Sequence, residues 1–583
     1  QFNGGNYTFL RLLDPISRQL IPTDKDFFTR RDNQFASFLL GVYDEAGRSI
    51  QYQKANGKDT WYGFHFLDRW KITPRLTASL GVRYEYYPLM SRDSLGKGLE
   101  QYDPATNTVL LGGLGGNPKN LGIQTQKSLI GPRFGLAYML DNKTVLRAGF
   151  GSTFDTYPLL RELRGPYPAV IASDFKYLAD SPNFDQPSQC LAGQQSNLCS
   201  FQGLGTLAGG IQPVDLDPIS AGLSQGKIPI DKSVDMRFLR PGLLKRGRIE
   251  TWNATVERKL PGEFIVGVAY VGNHLTHGWG QVDLNASRID EQAPLSTLYG
   301  RTAATYQLQG YVDSHYNALQ VTIDRHFDKG LYIKGAYAWS KAIDLSSDDS
   351  WGAGLWLAPT FAGPGYRDRN RGMSDFDSRH VFRMSYVWDL PVGSGRKYLS
   401  SNRIGRAVLG GWQLNGIWST TSGRPTTLYA DPGNLRQAGN HQTVDQVGPI
   451  QKLGCLGPGP DCHWYDPSSF AIVPLVTDPD GVQRQHRFGT TGRNIALYGP
   501  GHTNLDASLF RHFKLTERFD LQFRAEGLNV LNHPTWNWAP DEWGASNYCW
   551  GGGPANNPCG GTFMQAVDAN GHRIVRFGLR LAF

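Results

Sequence analysis

Apolar and polar residues alternate one by one along several short segments of this chain. From Leu76 to Tyr86 every second residue is apolar, and the residues between them are polar or small. Successive side chains of a β-strand point to opposite faces of a sheet, so this period of two predicts strands with one apolar and one polar face. The same alternation returns in segments that begin at Phe134, Phe264, Leu319, Leu331, Phe382, Phe519 and Phe577. The pattern predicts an all-β protein.

The connections between these segments alternate in length. Tight turns are predicted near residues 73–75, 141–143, 261–262, 328–330 and 516–517, with one longer connection at 391–408. Long irregular segments are predicted at residues 88–130, 156–247, 274–313, 342–378, 423–502 and 531–570. This asymmetry is typical of a transmembrane antiparallel β-barrel, which has short periplasmic turns at one end and long extracellular loops at the other.

Composition narrows the possible classes. Aromatic residues make up 12% of the chain and charged residues 19%, which excludes a disordered chain and a coiled coil. The longest stretch without a charge, residues 186–214, is rich in Gln, Gly and Ser, so it offers no run of about 18 apolar residues for a spanning helix. A soluble β-sandwich or propeller is the alternative. Trp and Tyr near the strand ends favour the membrane barrel, which has aromatic girdles at both interfaces.

The number of strands sets the domain boundaries. Thirteen strands are predicted from about Thr60 to Phe583, and the last of them runs toward the periplasm if the long loops face outside. A barrel with both ends in the periplasm needs an even number, so one upward strand is expected before Thr60, with Asn6–Leu13 as the candidate. Residues 1–57 would hold this first strand and its loop, and residues 58–583 would hold the β-barrel with its large outer loops. The expected total is about 14 strands.

The six cysteines form three local pairs inside the predicted long loops. Their spacings do not match the short C-x2–4-C spacing of zinc sites, so disulfides are the preferred interpretation. Each disulfide would close a small ring, stabilise it by about 2–3 kcal/mol, and require an oxidising compartment. The expected pairs are Cys190 with Cys199, Cys455 with Cys462, and Cys549 with Cys559.

Six segments resemble the barrel of TonB-dependent outer-membrane receptors of the Oar-like branch. They match that barrel in order as well as in content. The segments are Trp61–Tyr87, Gly131–Asp155, Tyr316–Asp344, Ser374–Lys397, Gly410–Pro425 and Leu521–Trp536. The final RFGLRLAF resembles the C-terminal signal that barrel-assembly machinery recognises, and its apolar residues are Phe577, Leu579, Leu581 and Phe583.

The resemblance implies parts that this sequence does not carry. It implies a barrel of about 22 strands, a plug domain that closes it, and a TonB-type energy complex that acts through a short N-terminal box. Gln1–Leu10 has neither the basic start nor the apolar core of a signal peptide. We therefore expect a larger barrel whose plug and first strands lie upstream of Gln1, rather than a barrel that closes with 14 strands alone.

The side chains on the polar face of the predicted strands include many arginines. Such a wall would attract an anionic substrate or a carboxylate-bearing plug. The alternative is that these arginines are solvated or paired with Glu85, Asp520 and Glu526, which share their parity. The arginines are Arg83, Arg147, Arg383, Arg524, Arg576 and Arg580.

Two other kinds of site are considered and set aside. The segment Asp344–Ser350, with Asp375 and Asp377, contains clustered carboxylates that suit calcium, but it lacks the EF-hand spacing and its glycine, so turn-capping aspartates are the preferred interpretation. Asp506, Ser508 and His512 share one strand and one face, where parallel side chains do not form a nucleophile–base contact. No hydrolase, zincin or P-loop motif is present, so we expect no enzymatic activity, metal or cofactor.

The expected function is that of a TonB-dependent receptor in the outer membrane of a Gram-negative cell, where it takes up an extracellular substrate that the sequence does not identify. The expected partners are outer-membrane lipid and lipopolysaccharide, the barrel-assembly machinery and the TonB-type energy complex. The net charge of +8 is scattered along the chain, so no nucleic-acid partner is expected. Two alternatives remain, a passive or secretory channel and a structural or adhesive surface protein that acts through loops such as 156–247 and 423–502.

Overall fold

The structure is a computed structural model. It describes residues 5–8, 39, 45–53, 56–93, 95–156, 158–159, 163, 167–176, 216–301, 303–347, 361–393, 396–399, 403–430, 435, 441–457, 461–479, 483–495, 497–537, 564, 566 and 568–583. Among these residues no helix has both the length and the apolar character needed to cross a membrane.

One large antiparallel sheet dominates the molecule, and thirteen strands follow one another along it in chain order. They are β1 (Tyr62–Thr73), β2 (Leu76–Tyr86), β3 (Leu129–Met139), β4 (Thr144–Phe154), β5 (Arg248–Leu260), β6 (Phe264–Asp283), β7 (Thr305–Asp328), β8 (Leu331–Asp344), β9 (His380–Asp389), β10 (Trp412–Thr421), β11 (His502–Lys514), β12 (Asp520–Leu528) and β13 (Ile574–Ala582). The short segments Met236–Leu239 and Gly372–Met373 add to β7 and β8 and make it a 15-stranded sheet. The antiparallel barrel class predicted from the alternation is confirmed.

The pairing register separates the two faces of the sheet. Leu80 of β2 lies opposite Phe134 of β3, whereas Ser79 lies opposite Gly135. Side chains that are directly opposite point to the same face, so apolar residues meet apolar residues across the strands. The apolar face is uncovered, as the 47% exposure of Leu80 shows. An uncovered apolar face of this size is what a sheet presents to lipid.

The turns at one end are tight and chemically suited to their positions. The connection between β5 and β6 contains Gly262 at φ 78°, and that between β7 and β8 contains Gly330 at φ 80°. Glycine adopts such positive φ values without strain. In the turn between β1 and β2, Thr73 Oγ1 accepts hydrogen bonds from the amides of Arg75 and Leu76. The predicted short-turn end of the sheet is therefore present.

The two edges of the sheet are open within the described part of the chain. β1 pairs only with β2, and β13 pairs only with β12. Every residue of both edge strands is exposed. Both strands run from the long-loop end to the short-turn end, so the two edges are parallel and cannot close as an antiparallel pair.

The predicted fourteenth strand does not join this sheet. The described part of Asn6–Leu13 lies in the strand Gly5–Thr8, which pairs with Glu45–Gln51, and that strand pairs in turn with Val170–Lys176. The placement of Asn6–Leu13 in the barrel wall is therefore wrong for the described residues. Four residues at about 3.3 Å each are too short to cross a bilayer core of about 30 Å.

The buried core lies in the long loops rather than in the sheet. One apolar cluster contains Tyr102, Val109, Tyr167, Ile228 and Phe238, which come from the predicted loops 88–130 and 156–247. Short elements build these loops: the helices α1 (Asp217–Leu223) and α2 (Pro294–Tyr299), the 3-10 turns Leu95–Lys97, Arg367–Asn370 and Pro467–Ser469, and the strands Gly57–Lys58, Ser91–Arg92, Glu100–Asp103, Thr108–Leu111, Gln124–Thr125, Lys227–Pro229, Leu243–Leu244, Tyr429–Ala430, Gln442–Thr443, Asp445–Gln446, Phe470–Ala471, Val476–Thr477, Gln483–Arg484, Thr535–Asn537 and Asp568–Asn570. A third helix, α3 (Arg403–Leu409), lies at the short-turn end.

Candidate functional site

The candidate functional site is the polar face of the large sheet, which faces the interior of a membrane barrel. The register places all six predicted arginines on this face, each opposite a small or polar residue on at least one neighbouring strand, while Arg524 also lies opposite Phe510. Arg83 lies opposite Gly131, Arg383 lies between Ala336 and Ser419, and Arg576 lies opposite Glu526. The three others have the partners Arg147–Ala137, Arg524–Gly578 and Arg580–Gln522.

Two of these arginines form ion pairs on the wall. Arg83 Nε lies 2.6 Å from Glu85 Oε1, which is the pairing considered from the sequence. Arg147 Nε lies 3.0 Å from Glu257 Oε2 on the neighbouring strand. Such pairs neutralise part of the arginine excess and hold the guanidinium groups against the sheet.

Asp520 and Glu526, the other two acidic residues considered as arginine partners, form no ion pair with the six arginines among the described residues. Asp520 lies 2.7 Å from His512 Nδ1, and Arg524 Nε donates a hydrogen bond to Gln522 Oε1 at 2.7 Å. Among the described residues no ion pair joins Glu526 to Arg576 or Arg580. The sequence leaves pairing with Asp520 and Glu526 open as an alternative, together with solvation; among the described residues Asp520 contacts a histidine, and Arg524 bonds a neutral amide.

A cavity of about 640 Å³ opens on this wall near the short-turn end. Its charged lining consists of Glu257, Asp324, His326, Lys334 and Arg383. Arg147 pairs with Glu257 and His326 lies 3.4 Å from Asp324, whereas Lys334 and Arg383 have no ion pair with any described residue. The cavity therefore offers two available cations to a bound anionic group.

Sequence reasoning missed several basic residues of the polar face, and three of them illustrate the signal. Arg69 lies opposite Ser79, Arg133 lies opposite Gly81, and Lys334 lies opposite Ser385. The alternation does place Arg133 on the polar face, because Arg133 directly precedes Phe134, which begins a predicted strand segment with apolar residues at every second position. Lys334 likewise alternates with Ile333 and Gly335 in a recognised segment.

At the opposite end, the buried Arg493 and the half-buried Arg369 join the long loops to each other. Arg493 lies 2.6 Å from Asp344 and 3.1 Å from Asp375. Arg369 lies with its guanidinium carbon 4.7 Å and 4.8 Å from the ring centroids of Phe361 and Phe488. These contacts link the end of β8 and the loop before β9 to the loop between β10 and β11.

The same contacts account for the clustered aspartates. Asp344 and Asp375 bind Arg493, and Asp377 accepts hydrogen bonds from the amide of Ala342 and the hydroxyl of Tyr498. Residues 348–350 of the predicted carboxylate cluster lie outside the described residues. Among the residues that are described, no group of three or more His, Cys, Asp or Glu side chains has the arrangement to hold a metal ion.

One predicted cysteine pair lies in the described part of the chain. Cys455 and Cys462 are joined by a disulfide in the loop between β10 and β11. Cys190, Cys199, Cys549 and Cys559 lie outside the described residues. A bidentate ion pair stabilises the same loop, where Arg487 donates hydrogen bonds of 2.7 Å to both oxygens of Asp445. These bonds lower the pKa of the Asp445 carboxyl.

The remaining predicted residues lie on the strands as follows. Phe577, Leu579 and Leu581 alternate along the apolar face of the edge strand β13, and Phe583 follows it. On β11, His512 contacts Asp520 and Gln522, while Ser508 accepts a 3.4 Å hydrogen bond from Asn415 Nδ2.

The sheet, its uncovered apolar face, its charged polar face and its unequal ends define an outer-membrane β-barrel. The family model described as outer membrane beta barrel domain matches residues 1–568, and the chain belongs to this family. No curated protein sequence matches the chain.

Several solved outer-membrane proteins are similar to this chain. The outer membrane transporter YddB from Escherichia coli shares 9% identity over 92% of this chain and 50% of its own, with a TM-score of 0.38. A mutant of the ferric enterobactin receptor PfeA from Pseudomonas aeruginosa shares 10% identity over 92% and 50%, with a TM-score of 0.38. The ferric-catecholate import receptor Fiu from E. coli K12 shares 8% identity over 93% and 45%, with a TM-score of 0.34. The chain spans about half the length of these solved chains.

Proposed function

We propose that this chain is part of the barrel of a TonB-dependent receptor that takes up an extracellular substrate in an energy-coupled step. The observation that carries the proposal is the cavity on the polar face, in which Lys334 and Arg383 lack ion-pair partners among the described residues. A passive pore needs only a hydrated wall, whereas available cations beside a cavity suit a wall that binds an anionic group and releases it again.

The anionic group that we propose for this cavity is a carboxylate of a plug domain or of the substrate. The cavity lies near the short-turn end, so a group bound there would sit close to the periplasm. The six wall arginines would then act as contacts along the path, while Phe577, Leu579, Leu581 and Phe583 would serve recognition by the barrel-assembly machinery. We assign no catalytic role to any residue.

Energy-dependent depletion of a compound from the medium tests the transport proposal. A strain with the intact gene and a deletion strain are grown in the same medium, with and without a protonophore, and depletion is followed by mass spectrometry. Loss of one compound from the medium only in the intact, energised strain supports active uptake. Depletion that the protonophore does not affect would favour a passive channel, and loss of surface adhesion without any change in depletion would favour an adhesin.

The cavity is tested separately by one substitution and a matched control. Arg383→Gln removes an available cation, and we expect uptake to fall by about tenfold if the cation contributes about 1.4 kcal/mol to binding. Arg258→Gln removes a cation from the opposite, apolar face of the sheet, where it is paired with Asp141, and should leave uptake within about twofold. Equal effects of the two substitutions would contradict the role of the cavity while leaving the transport proposal intact.

A further inference from the structure

The connection between β9 and β10 is the longest at the short-turn end, and it carries exposed apolar side chains. Within α3, Ile404 is 77% exposed and Val408 is 57% exposed. They are four residues apart, so they lie on one stripe of the helix. Leu409, at the end of α3, is exposed as well, as are Tyr398 and Leu399 before it.

Two hydrogen bonds fix α3 on the lipid-facing side of the barrel. The carbonyl of Val408 accepts a hydrogen bond of 3.0 Å from Trp412 Nε1 and one of 2.8 Å from Arg511 Nη1. Trp412 and Arg511 lie directly opposite each other on the apolar face, and the Trp412 ring packs edge-on against Phe523 of the same face. The end of α3 is therefore at the outer perimeter of the short-turn rim, away from the barrel interior.

The exposed stripe continues the apolar face of the sheet, which faces lipid in a membrane barrel. Arg511, which holds α3, lies with its guanidinium carbon 4.5 Å from the centroid of the Phe513 ring. Phe513 is exposed on the apolar face, and Leu515 and Phe519 in the next turn are exposed too. Water would cover this surface only at a cost, because exposed apolar area of this extent is unfavourable.

The segment is also basic. Residues 390–411 contain Arg396, Lys397, Arg403 and Arg406 and no Asp or Glu. Arg396 lies 3.3 Å from Asp389, and Lys397 lies over the ring of Tyr398. Basic residues next to an apolar stripe are the chemistry by which a short helix binds at the interface of a membrane with acidic headgroups.

We propose that residues 396–399 and α3 form an interfacial anchor that binds acidic phospholipid headgroups in the inner leaflet of the outer membrane. Ile404 and Val408 insert at the boundary between headgroups and acyl chains, and the net positive charge of the segment attracts the phosphates. The anchor fixes the height of the short-turn rim on the side of β9 to β11. A periplasmic protein that covers the same stripe is the competing occupant.

Photocrosslinking identifies what covers the stripe. Benzoylphenylalanine replaces Ile404 in the full protein in native outer membranes, and the crosslinked products are analysed by mass spectrometry. The control position is Val476, which is exposed in the outer loop between β10 and β11. We expect phospholipid adducts at position 404 and about tenfold fewer at position 476. Adducts at position 404 with protein alone, or equal phospholipid yields at both positions, would overturn the proposal.

The acidic-lipid component is tested by counting lipids retained by the purified protein in native mass spectrometry, from nanodiscs of phosphatidylcholine and phosphatidylglycerol. The double variant Arg403→Gln, Arg406→Gln should lower retention of phosphatidylglycerol by about 25-fold, since each basic residue near an acidic surface contributes about fivefold. The control, Lys143→Gln with Lys329→Gln, removes two charges from other turns of the same rim. Equal losses in both double variants, or no preference of the parent protein for phosphatidylglycerol, would overturn the proposal.

Discussion

Single residues on the two faces of the sheet experience opposite environments. Leu80 lies on the apolar face and Ser79, its neighbour, on the polar face. Leu80→Lys should therefore cost about 2–4 kcal/mol of folding free energy if the residue is near the bilayer midplane, whereas Ser79→Lys should cost about 1 kcal/mol or less. Denaturant titration of the protein refolded in vesicles measures both. Equal losses would contradict the assignment of the faces.

Arg493 illustrates a residue whose removal leaves a buried charge behind. Its partner Asp344 is buried, so Arg493→Gln would leave that carboxylate without its cation, at a cost of about 3–5 kcal/mol. We expect faster hydrogen exchange in peptides from both joined loops. Lys259→Gln is the control, because its pair with Glu263 is exposed and screened by solvent, so its removal should leave the exchange of both loops unchanged. Unchanged exchange in Arg493→Gln would show that the loops are held by their apolar clusters alone.

Asp445 makes loop stability depend on pH in a definite direction. The hydrogen bonds from Arg487 lower the pKa of the Asp445 carboxyl below its ordinary value of 3.8. The pair therefore stabilises the loop at every pH above that ordinary value, and this contribution is lost as pH falls through the lowered pKa in the folded protein. Hydrogen exchange of the loop, corrected for the intrinsic rate at each pH, should show weaker protection at low pH. Asp445→Asn should lack this acid-dependent step, and an identical acid profile in the variant would refute the assignment.

At the scale of the structural elements, the predicted disulfides in the long loops can be tested by direct chemical analysis. Each ring of eight to eleven residues closed by a disulfide should be stabilised by about 2–3 kcal/mol in the chain-entropy model. Mass spectrometry of non-reduced peptides should find Cys455 joined to Cys462, and also the two pairs that lie outside the described residues. Free thiols in the protein purified under oxidising conditions, or a disulfide between different pairs, would contradict the local pairing.

The sequence predicts the structure of the long strands better than that of the loops. β2 was predictable because eleven residues of strict alternation carry a signal that few other structures share. The strands Glu100–Asp103 and Thr108–Leu111 were not, because four residues contain too little alternation to distinguish them from a turn. Their stability comes instead from burial against Ile228 and Phe238, which are distant in sequence. The sequences of the large loops therefore predict irregular structure, although these loops contain the buried core.

At the scale of the whole molecule, one part of the candidate site was predictable from the sequence and another was not. The position of the arginines on the polar face followed from the alternation within single strands. The cavity did not, because Glu257, Lys334 and Arg383 come from β5, β8 and β9 and meet only through the stagger of the strands between them. That stagger depends on turn geometry and on irregularities such as the register shift between Arg325 and Asp328, which have no alternation signal.

The open edges lead to a prediction about how the barrel closes. Unpaired backbone groups at a sheet edge are costly in hydrocarbon, so β1 and β13 need partners in the membrane. Because these two strands are parallel, antiparallel closure requires at least one further strand between them. That strand would separate them by at least about 9.5 Å, which exceeds the reach of a disulfide. We therefore expect no disulfide between Phe66→Cys and Leu579→Cys, nor when Phe577 or Leu581 replaces Leu579 as the partner position.

A matched pair shows that the crosslinking chemistry works on the same strand. Phe66 and Val82 are directly opposite each other in β1 and β2, so Phe66→Cys with Val82→Cys should crosslink readily under the same oxidant in native membranes. Efficient crosslinking of this control without any β1–β13 product would support intervening strands. A β1–β13 disulfide in comparable yield would show that the two edges meet directly as a parallel pair. In that case the proposed larger barrel, and with it the room for a plug beside the cavity, would have to be abandoned.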